Sequence, residues 1–207
     1  VPPGTGNYEG EQYLPDWSKE PYDQRVEEAK KLMADAGYTP DKPLKLQLRY
    51  NTNENHQRIA VAIADMWKQI GVEVELFNAE TAVHYDALRA GDFNVGRAGW
   101  LLDYDDASNT LDLLKSGVKQ GDTMNWGNNY GRFSDPKYDA LLDQASKELD
   151  LVKRAALLHE AEKLAMDQFA AIPIYWYVSK NVVSPKITGF EDNAKDINRV
   201  RWMSKSE

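Results

Sequence analysis

The sequence has no cysteine, which excludes disulfide bonds, thiolate metal sites and cysteine nucleophiles. No apolar run approaches the ~18–20 residues that a membrane-spanning helix needs. Acidic residues outnumber basic ones by 33 to 25, so the chain lacks the basic surface typical of nucleic-acid-binding domains, and no nucleic-acid partner is expected. With 42% hydrophobic and 28% charged residues, the composition indicates a globular protein with a real core.

Sequence signatures of catalysis, metal binding and phosphate binding are also missing. His159-Glu160 begins like a zinc-protease motif, but Lys163 stands where the second histidine is required. No serine lies in a G-x-S-x-G setting, and no glycine-rich phosphate loop is present. His56 and His84 are too far apart in the sequence to form a metal motif. We therefore expect neither a metal nor a cofactor.

Hydrophobic periodicity predicts an α/β fold with about six helices. Apolar residues alternate with polar ones over Leu44–Tyr50 and again over Val72–Leu76, as in strands with one buried face. Between them lies an amphipathic helical pattern for which Asn53 or Asn55 is a candidate cap. A strand-helix-strand unit favours parallel pairing, so the prediction is a mixed sheet flanked by helices.

The rest of the chain gives weaker signals. Phe93–Trp100 is predicted as a third strand, Gly117–Asn129 as a long loop, and Ala171–Val178 as a last strand at a sheet edge. Asp135-Pro136 predicts a capped helix start. One main domain over residues 22–183 is expected, with a Pro/Gly-rich lead-in over residues 1–21 and a tail over residues 184–207. Val1-Pro2-Pro3-Gly4 resembles the interior of a longer chain.

Two features could carry chemistry, and residue types alone leave both open. Asp103, Asp105 and Asp106 are compatible with a cation site, an acid/base pair, an ammonium site or a solvated loop, although the calcium-loop spacing is not met. Arg97 lies in an otherwise apolar segment, where a charge needs a partner. That partner is either a structural acid or a bound carboxylate, which the arginine fork suits.

The segment Arg97-Ala-Gly-Trp-Leu-Leu-Asp103-Tyr104 resembles the peptide-binding lobe of the oligopeptide/dipeptide solute-binding proteins of ABC importers. The resemblance extends over essentially the whole chain and includes further segments in the same order. These are Leu48–Thr52, Trp67–Val74, Asn128–Tyr130, Asp135–Leu142, Ile172–Tyr175 and Gly189-Phe190. It implies a lobe of the type II periplasmic-binding-protein class, which in the family closes over ligand against a second, N-terminal lobe.

The resemblance also implies roles for individual residues. Asp103 matches the aspartate that binds a peptide's terminal ammonium, and Arg97 matches an arginine that meets the terminal carboxylate. His56 matches a histidine that shares the role of Arg97, while Trp100 and Tyr104 are expected to contact ligand. The family pattern is broken in two places. Thr81 replaces a stacking tryptophan, and a second arginine that some members have near Leu88 is displaced or absent, with Arg89 one position away.

The function implied by the resemblance is that of a non-enzymatic receptor that captures short peptides for an ABC importer. Its expected partners are short peptides, the importer's membrane subunits and a missing N-terminal lobe. Its expected location is the periplasm, or the cell surface as a lipoprotein. A receptor for a dipeptide, a murein peptide or a nickel complex is an alternative on the same scaffold. A hydrolase built on the acidic cluster is a further, less favoured one.

Overall fold

The computed structural model describes residues 1–8, 12–193 and 196–206, and the chain forms two compact units. The sheet unit comprises Leu14–Gly99 and Gly117–Arg132. The helical unit comprises Val1–Tyr13, Trp100–Ser116 and Phe133–Glu207. The predicted division into a lead-in, a lobe over residues 22–183 and a tail stays a prediction. Within the described residues, no helix combines the length and the apolar character required to cross a bilayer.

The sheet unit is a parallel strand-helix-strand arrangement, as predicted. Its elements are a 3₁₀ turn (Asp16–Lys19), α1 (Tyr22–Asp35), β1 (Leu44–Asn51), α2 (Glu54–Lys68), β2 (Val72–Ala79), α3 (Thr81–Ala90) and β3 (Val95–Gly96). The sheet order is β2-β1-β3, and both pairings are parallel, with Leu48 opposite Val95. The carboxyl ends of β1 and β3 therefore lie at one edge of the sheet.

Local sequence signals explain how these elements begin and pack. The Asn53 side chain accepts hydrogen bonds from the first turn of α2, so the predicted cap is confirmed. Leu48 and Tyr50 point to one face of β1 and form a core with Ala60 of α2. Gly96 is required because any side chain there would clash with buried Leu88 of α3.

The helical unit is built on a pair of packed helices. Its elements are α4 (Ser108–Leu111), a 3₁₀ turn (Asp112–Leu114), α5 (Pro136–Ala145), α6 (Leu151–Asp167), β6 (Ile187–Thr188), a 3₁₀ turn (Val200–Trp202) and β7 (Ser204–Lys205). The helices share one apolar core, in which the fully buried Tyr138 donates its hydroxyl to the Leu111 carbonyl at 2.6 Å. Asp135 caps α5 ahead of Pro136, as predicted. Glu162 is the polar exception on α6 and accepts hydrogen bonds from Tyr8 Oη (2.7 Å) and Tyr13 N (3.2 Å).

Three element predictions need correction. The predicted loop over Gly117–Asn129 contains a hairpin, β4 (Val118–Gln120) and β5 (Thr123–Asn125), joined by Gly121-Asp122. A glycine-aspartate pair between two short strands is a recognised hairpin signal, and Gly121 has the positive φ that such a turn needs.

The other two corrections concern strands that are shorter or missing. The third strand is only Val95–Gly96. Just before it, the Gln47 N–H donates to the side-chain Oδ1 of Asn94 (3.0 Å), whereas a longer strand would accept this bond with a main-chain carbonyl. The segment Ala171–Val178 is not a strand. Its residues are exposed and Pro173 lacks an N–H, and no strand within the described residues pairs with it. High β-propensity does not form a strand without a partner. The α/β prediction itself is confirmed.

Candidate functional site

Arg97 follows β3 directly, and its main chain is fixed on both sides. Its N–H donates to the Arg49 carbonyl at 2.8 Å, which continues the ladder with β1 by one bond. Its own carbonyl accepts a hydrogen bond from His84 Nε2 at 2.8 Å. The guanidinium Nη1 donates to Asn51 Oδ1 at 3.3 Å. Arg97 is therefore held at the carboxyl edge of the sheet by groups from β1 and α3.

His56 lies in the same cluster, in the first turn of α2. It is buried, and its Nδ1 lies 3.3 Å from the Asn51 carbonyl. Because a carbonyl only accepts, Nδ1 carries the hydrogen. Burial and the charge of Arg97 lower the pKa of His56 and outweigh the hydrogen bond to Asn51. Arg97 therefore supplies the positive charge here at neutral pH, and His56 supplies polar hydrogen-bonding capacity.

A second cation and a second histidine complete this cluster. Arg49 is buried on β1, with its guanidinium carbon 4.6 Å from the centroid of the Phe77 ring. His84 is fully buried on α3. The set of Arg49, Asn51, His56, His84 and Arg97, called the Arg97 cluster below, places two guanidinium groups at this edge of the sheet. Such an edge suits a carboxylate ligand.

The other predicted residues lie in the helical unit, on the loop before α4. Buried Asn109 accepts two hydrogen bonds through Oδ1, from Trp100 Nε1 at 2.8 Å and from the Asp103 main-chain N–H at 3.1 Å. Tyr104 Oη lies 3.3 Å from Ser108 Oγ. The structure thus brings Trp100, Asp103 and Tyr104 together on one loop, called the Asp103 loop below.

All three predicted residues of the Asp103 loop are accessible to a ligand. Trp100 is 37% exposed, Tyr104 is 46% exposed, and Asp103 is exposed as well. Within the described ranges, no hydrogen bond to the Asp103 carboxylate is present. Asn109 fixes the backbone of the loop while leaving this carboxylate free to bind a cationic group.

The acidic cluster is mostly structural. Asp106 forms a two-pronged ion pair with Arg154 of α6, at 2.7 and 2.8 Å, and accepts two hydrogen bonds from Ser108. Burial opposes ionisation of Asp106, but the bonds from Arg154 and Ser108 outweigh it and lower its pKa.

The second neighbour of Asp103 also has a protein partner. Asp105 accepts a hydrogen bond from the Gly6 N–H at 2.8 Å. Among the described residues, no group of three or more acidic or histidine side chains could hold a metal ion. Asp105 and Asp106 thus each have a partner within the protein.

Three orienting residues escaped the sequence reasoning: Asn51, His84 and Asn109. Asn51 and His84 contact Arg97, which is distant in the sequence, and Asn109 contacts Asp103 across a polar loop. No local sequence pattern therefore identifies these three residues. His84 carried one usable signal, because a histidine on the buried face of a short helix needs a partner. The two histidines that look scattered in the sequence, His56 and His84, meet at the Arg97 cluster.

Comparison with known proteins identifies the family. A family profile described as "Bacterial extracellular solute-binding proteins, family 5 Middle" matches residues 2–122, more than half of the chain. The periplasmic murein peptide-binding protein MppA of Escherichia coli is 39% identical over 213 residues, covering 97% of this chain and 38% of that protein. The periplasmic oligopeptide-binding protein OppA of the same species is 37% identical, covering 85% of this chain and 31% of that protein.

Solved structures agree with the sequence matches. E. coli MppA superposes with a TM-score of 0.83 at 37% identity, covering 99% of this chain and 39% of that one. Haemophilus influenzae OppA in complex with the peptide RPPGFSPFR gives a TM-score of 0.79 at 34% identity, covering 94% and 37%. The fold is therefore that of the type II periplasmic binding proteins. The chain spans less than two fifths of the length of these relatives. It belongs to family 5 of the bacterial extracellular solute-binding proteins.

Proposed function

We propose that the chain is the ligand-binding lobe of a receptor that captures short peptides for an ABC importer. The observation that carries this proposal is that buried side chains fix both Arg97 and the backbone of Asp103, whose carboxylate is exposed. Asn51 holds the Arg97 guanidinium, and Asn109 holds the Asp103 backbone. Because Asn109 holds Asp103 through the main chain, the exposed Asp103 carboxylate keeps its charge for a cationic group of the ligand.

In this proposal, each charged residue recognises one end of the peptide. Asp103 binds the terminal ammonium, because a desolvated ammonium needs an anionic partner. Arg97 binds the terminal carboxylate, with His56 contributing a hydrogen bond directly or through water. The exposed rings of Trp100 and Tyr104 contact apolar parts of the ligand. The protein is a receptor and not an enzyme.

The names of the relatives support peptides as the class of ligand. Two proteins at 37–39% identity are named for murein peptides and oligopeptides, and one solved relative holds a peptide. A murein peptide is the second candidate ligand, because the murein relative matches 97% of this chain against 85% for OppA. The scaffold also serves proteins named for deoxycholate and haem, so the ligand must be tested.

The location and the macromolecular partners follow from the same proposal. The curated relatives named above are periplasmic, and the receptor works in the periplasm or as a lipoprotein on the cell surface. It delivers the peptide to the membrane subunits of the importer. A second, N-terminal lobe belongs to the same protein, since the relatives are more than twice as long as this chain.

The proposal is tested by calorimetry on the protein with both lobes. Unmodified tripeptides to pentapeptides are compared with the same peptides carrying an N-acetyl group or a C-terminal amide. We expect either modification to weaken binding by at least about tenfold, because each leaves a charged receptor group without its partner. A matched control uses peptides with an altered central side chain and both termini free. Equal affinity for free and N-acetylated peptides would contradict the proposal.

The 207-residue chain alone is expected to bind the same peptides at least about 100-fold more weakly than the two-lobed protein. A single lobe offers only part of the contacts and leaves the bound peptide open to water, which screens its charges. Calorimetry measures the affinity, and circular dichroism shows that the isolated chain is folded. Micromolar binding by the isolated chain would show that the second lobe is dispensable.

A further inference from the structure

The fully buried ring of His84 makes one of the contacts that hold Arg97 in place. His84 lies in the first turns of α3, where its main-chain N–H donates to the Glu80 carbonyl at 2.9 Å. Its Nε2 lies 2.8 Å from the Arg97 carbonyl. Since a carbonyl only accepts, Nε2 carries a hydrogen and donates it. Within the described residues, the buried Nδ1 has no hydrogen-bond partner, so it does not need a hydrogen of its own.

This bond lies where the strand pairing stops. β3 is two residues long, and its ladder with β1 ends at the bond from the Arg97 N–H to Arg49. Beyond that point, the Arg97 carbonyl is held by the His84 side chain instead of by a neighbouring strand. The direction in which the Arg97 side chain leaves the sheet therefore depends on a contact from α3.

The surroundings of His84 favour its neutral form. It faces Arg49 of β1, Arg97 after β3 and His56 of α2, and the ring of Tyr85 meets it edge-on with centroids 5.2 Å apart. Burial lowers the pKa of His84, and the charges of Arg49 and Arg97 lower it further. Together they outweigh the hydrogen bond to the Arg97 carbonyl, which raises this pKa. A neutral ring donates one hydrogen bond without repelling the two arginines.

We propose that His84 is a positioning residue that holds the Arg97 main chain so that the guanidinium meets the carboxylate of the bound ligand. The inference rests on the proposed function, in which Arg97 recognises the carboxyl terminus of a peptide. His84 itself does not touch the ligand. It acts through Arg97, as a buried donor placed where the sheet can no longer supply one. Carboxylate recognition thus depends on His84 of α3 as well as on Arg97 at the end of β3.

The test compares His84→Leu and His84→Gln in the two-lobed protein, using one peptide as the free acid and as the C-terminal amide. Glutamine keeps a side-chain N–H donor near the position of Nε2, whereas leucine fills the space without a donor. We expect His84→Leu to weaken binding of the free acid by about tenfold, the effect of one lost hydrogen bond to a binding group. Its affinity for the amide stays within about twofold, and His84→Gln recovers most of the loss.

The outcomes separate this inference from the proposed function. Wild-type protein that binds acid and amide equally overturns the proposed function and the role of His84 with it. Wild-type discrimination that survives in His84→Leu overturns the role of His84 alone, as does an equal loss for both peptides.

A second measurement covers the case in which His84→Leu does not fold. Nitrogen-15 spectra of the wild-type imidazole are expected to show the tautomer with hydrogen on Nε2 between pH 7 and pH 8. Hydrogen on Nδ1 alone would overturn the inference, because the bond to Arg97 could not form.

Discussion

In the two-lobed protein, Asp103→Asn is expected to weaken binding of peptides with a free amino terminus by at least about 30-fold. Removing one partner of a desolvated, hydrogen-bonded charge pair generally costs about 2–5 kcal/mol, which corresponds to that factor or more. Asparagine keeps the size of the side chain and an oxygen acceptor. The loss therefore reports the charge, and calorimetry at neutral pH measures it.

Asp105→Asn provides a matched control two residues away. The charge change is the same, but the Asp105 carboxylate accepts a hydrogen bond from Gly6, which an asparagine oxygen can also accept. We expect its affinity to stay within about twofold of wild type, an effect of only a few tenths of a kcal/mol. If both variants lost affinity equally, the effect would come from net charge and not from recognition by Asp103.

N-acetylated peptides complete a double-mutant cycle with Asp103. Acetylation removes the ammonium, so Asp103→Asn should change the affinity for an acetylated peptide far less than for the free one. The coupling measured by the cycle isolates the contact between the two charges. Additive effects of the two changes would contradict the assignment of Asp103 as the ammonium-binding residue, even if each change alone weakened binding.

The elements that could be predicted from the sequence are those set by local signals. The cap at Asn53, the Asp135-Pro136 helix start and the existence of strand β1 depend on neighbours within a few residues, and the structure confirms each of them. The single buried face predicted for β1 is wrong, because Arg49 and Asn51 are buried as well as Leu48 and Tyr50. The predicted strand over Ala171–Val178 is wrong because strand formation depends on a pairing partner and not on the segment itself.

The candidate site shows the same limit at the level of side chains. Residue types at Arg97 and Asp103 left a structural ion pair and a ligand site equally open, because the deciding contacts are distant in the chain. Asn51 reaches Arg97 across 46 residues, and Arg154 reaches Asp106 across 48. Only the structure shows that Asp106 is the structural acid of the cluster while Asp103 is exposed.

The ion pair between Asp106 and Arg154 yields the second large effect, on stability. Both side chains are only 16% exposed, and Arg154→Met would leave the Asp106 carboxylate with Ser108 as its hydrogen-bond donor. Removing one partner of such a pair costs about 3 kcal/mol. We expect the melting temperature of the 207-residue chain to fall by about 6–12 °C at pH 7, measured by calorimetry.

Lys153→Met is the matched control, since Lys153 is the preceding residue on α6. Its ion pair with Asp150 is long, at 3.6 Å, and both side chains are well exposed. An exposed pair contributes little because water screens it, so the melting temperature should change little. A fall in Lys153→Met equal to that in Arg154→Met would show that charge on α6, and not the buried pair, determines stability.

The pH dependence gives an independent check on the same pair. The pKa of Asp106 is lowered in the folded protein, so its contribution to stability is present above the ordinary aspartate value of about 3.9. That contribution is lost as the pH falls through the lower, folded value. The difference in unfolding free energy between wild type and Arg154→Met should therefore be full near pH 7 and shrink below about pH 4. Protonation of Asp106 removes the charge that the variant leaves without its arginine, so a difference that stayed constant down to pH 3 would exclude the ion pair as the source of the stability.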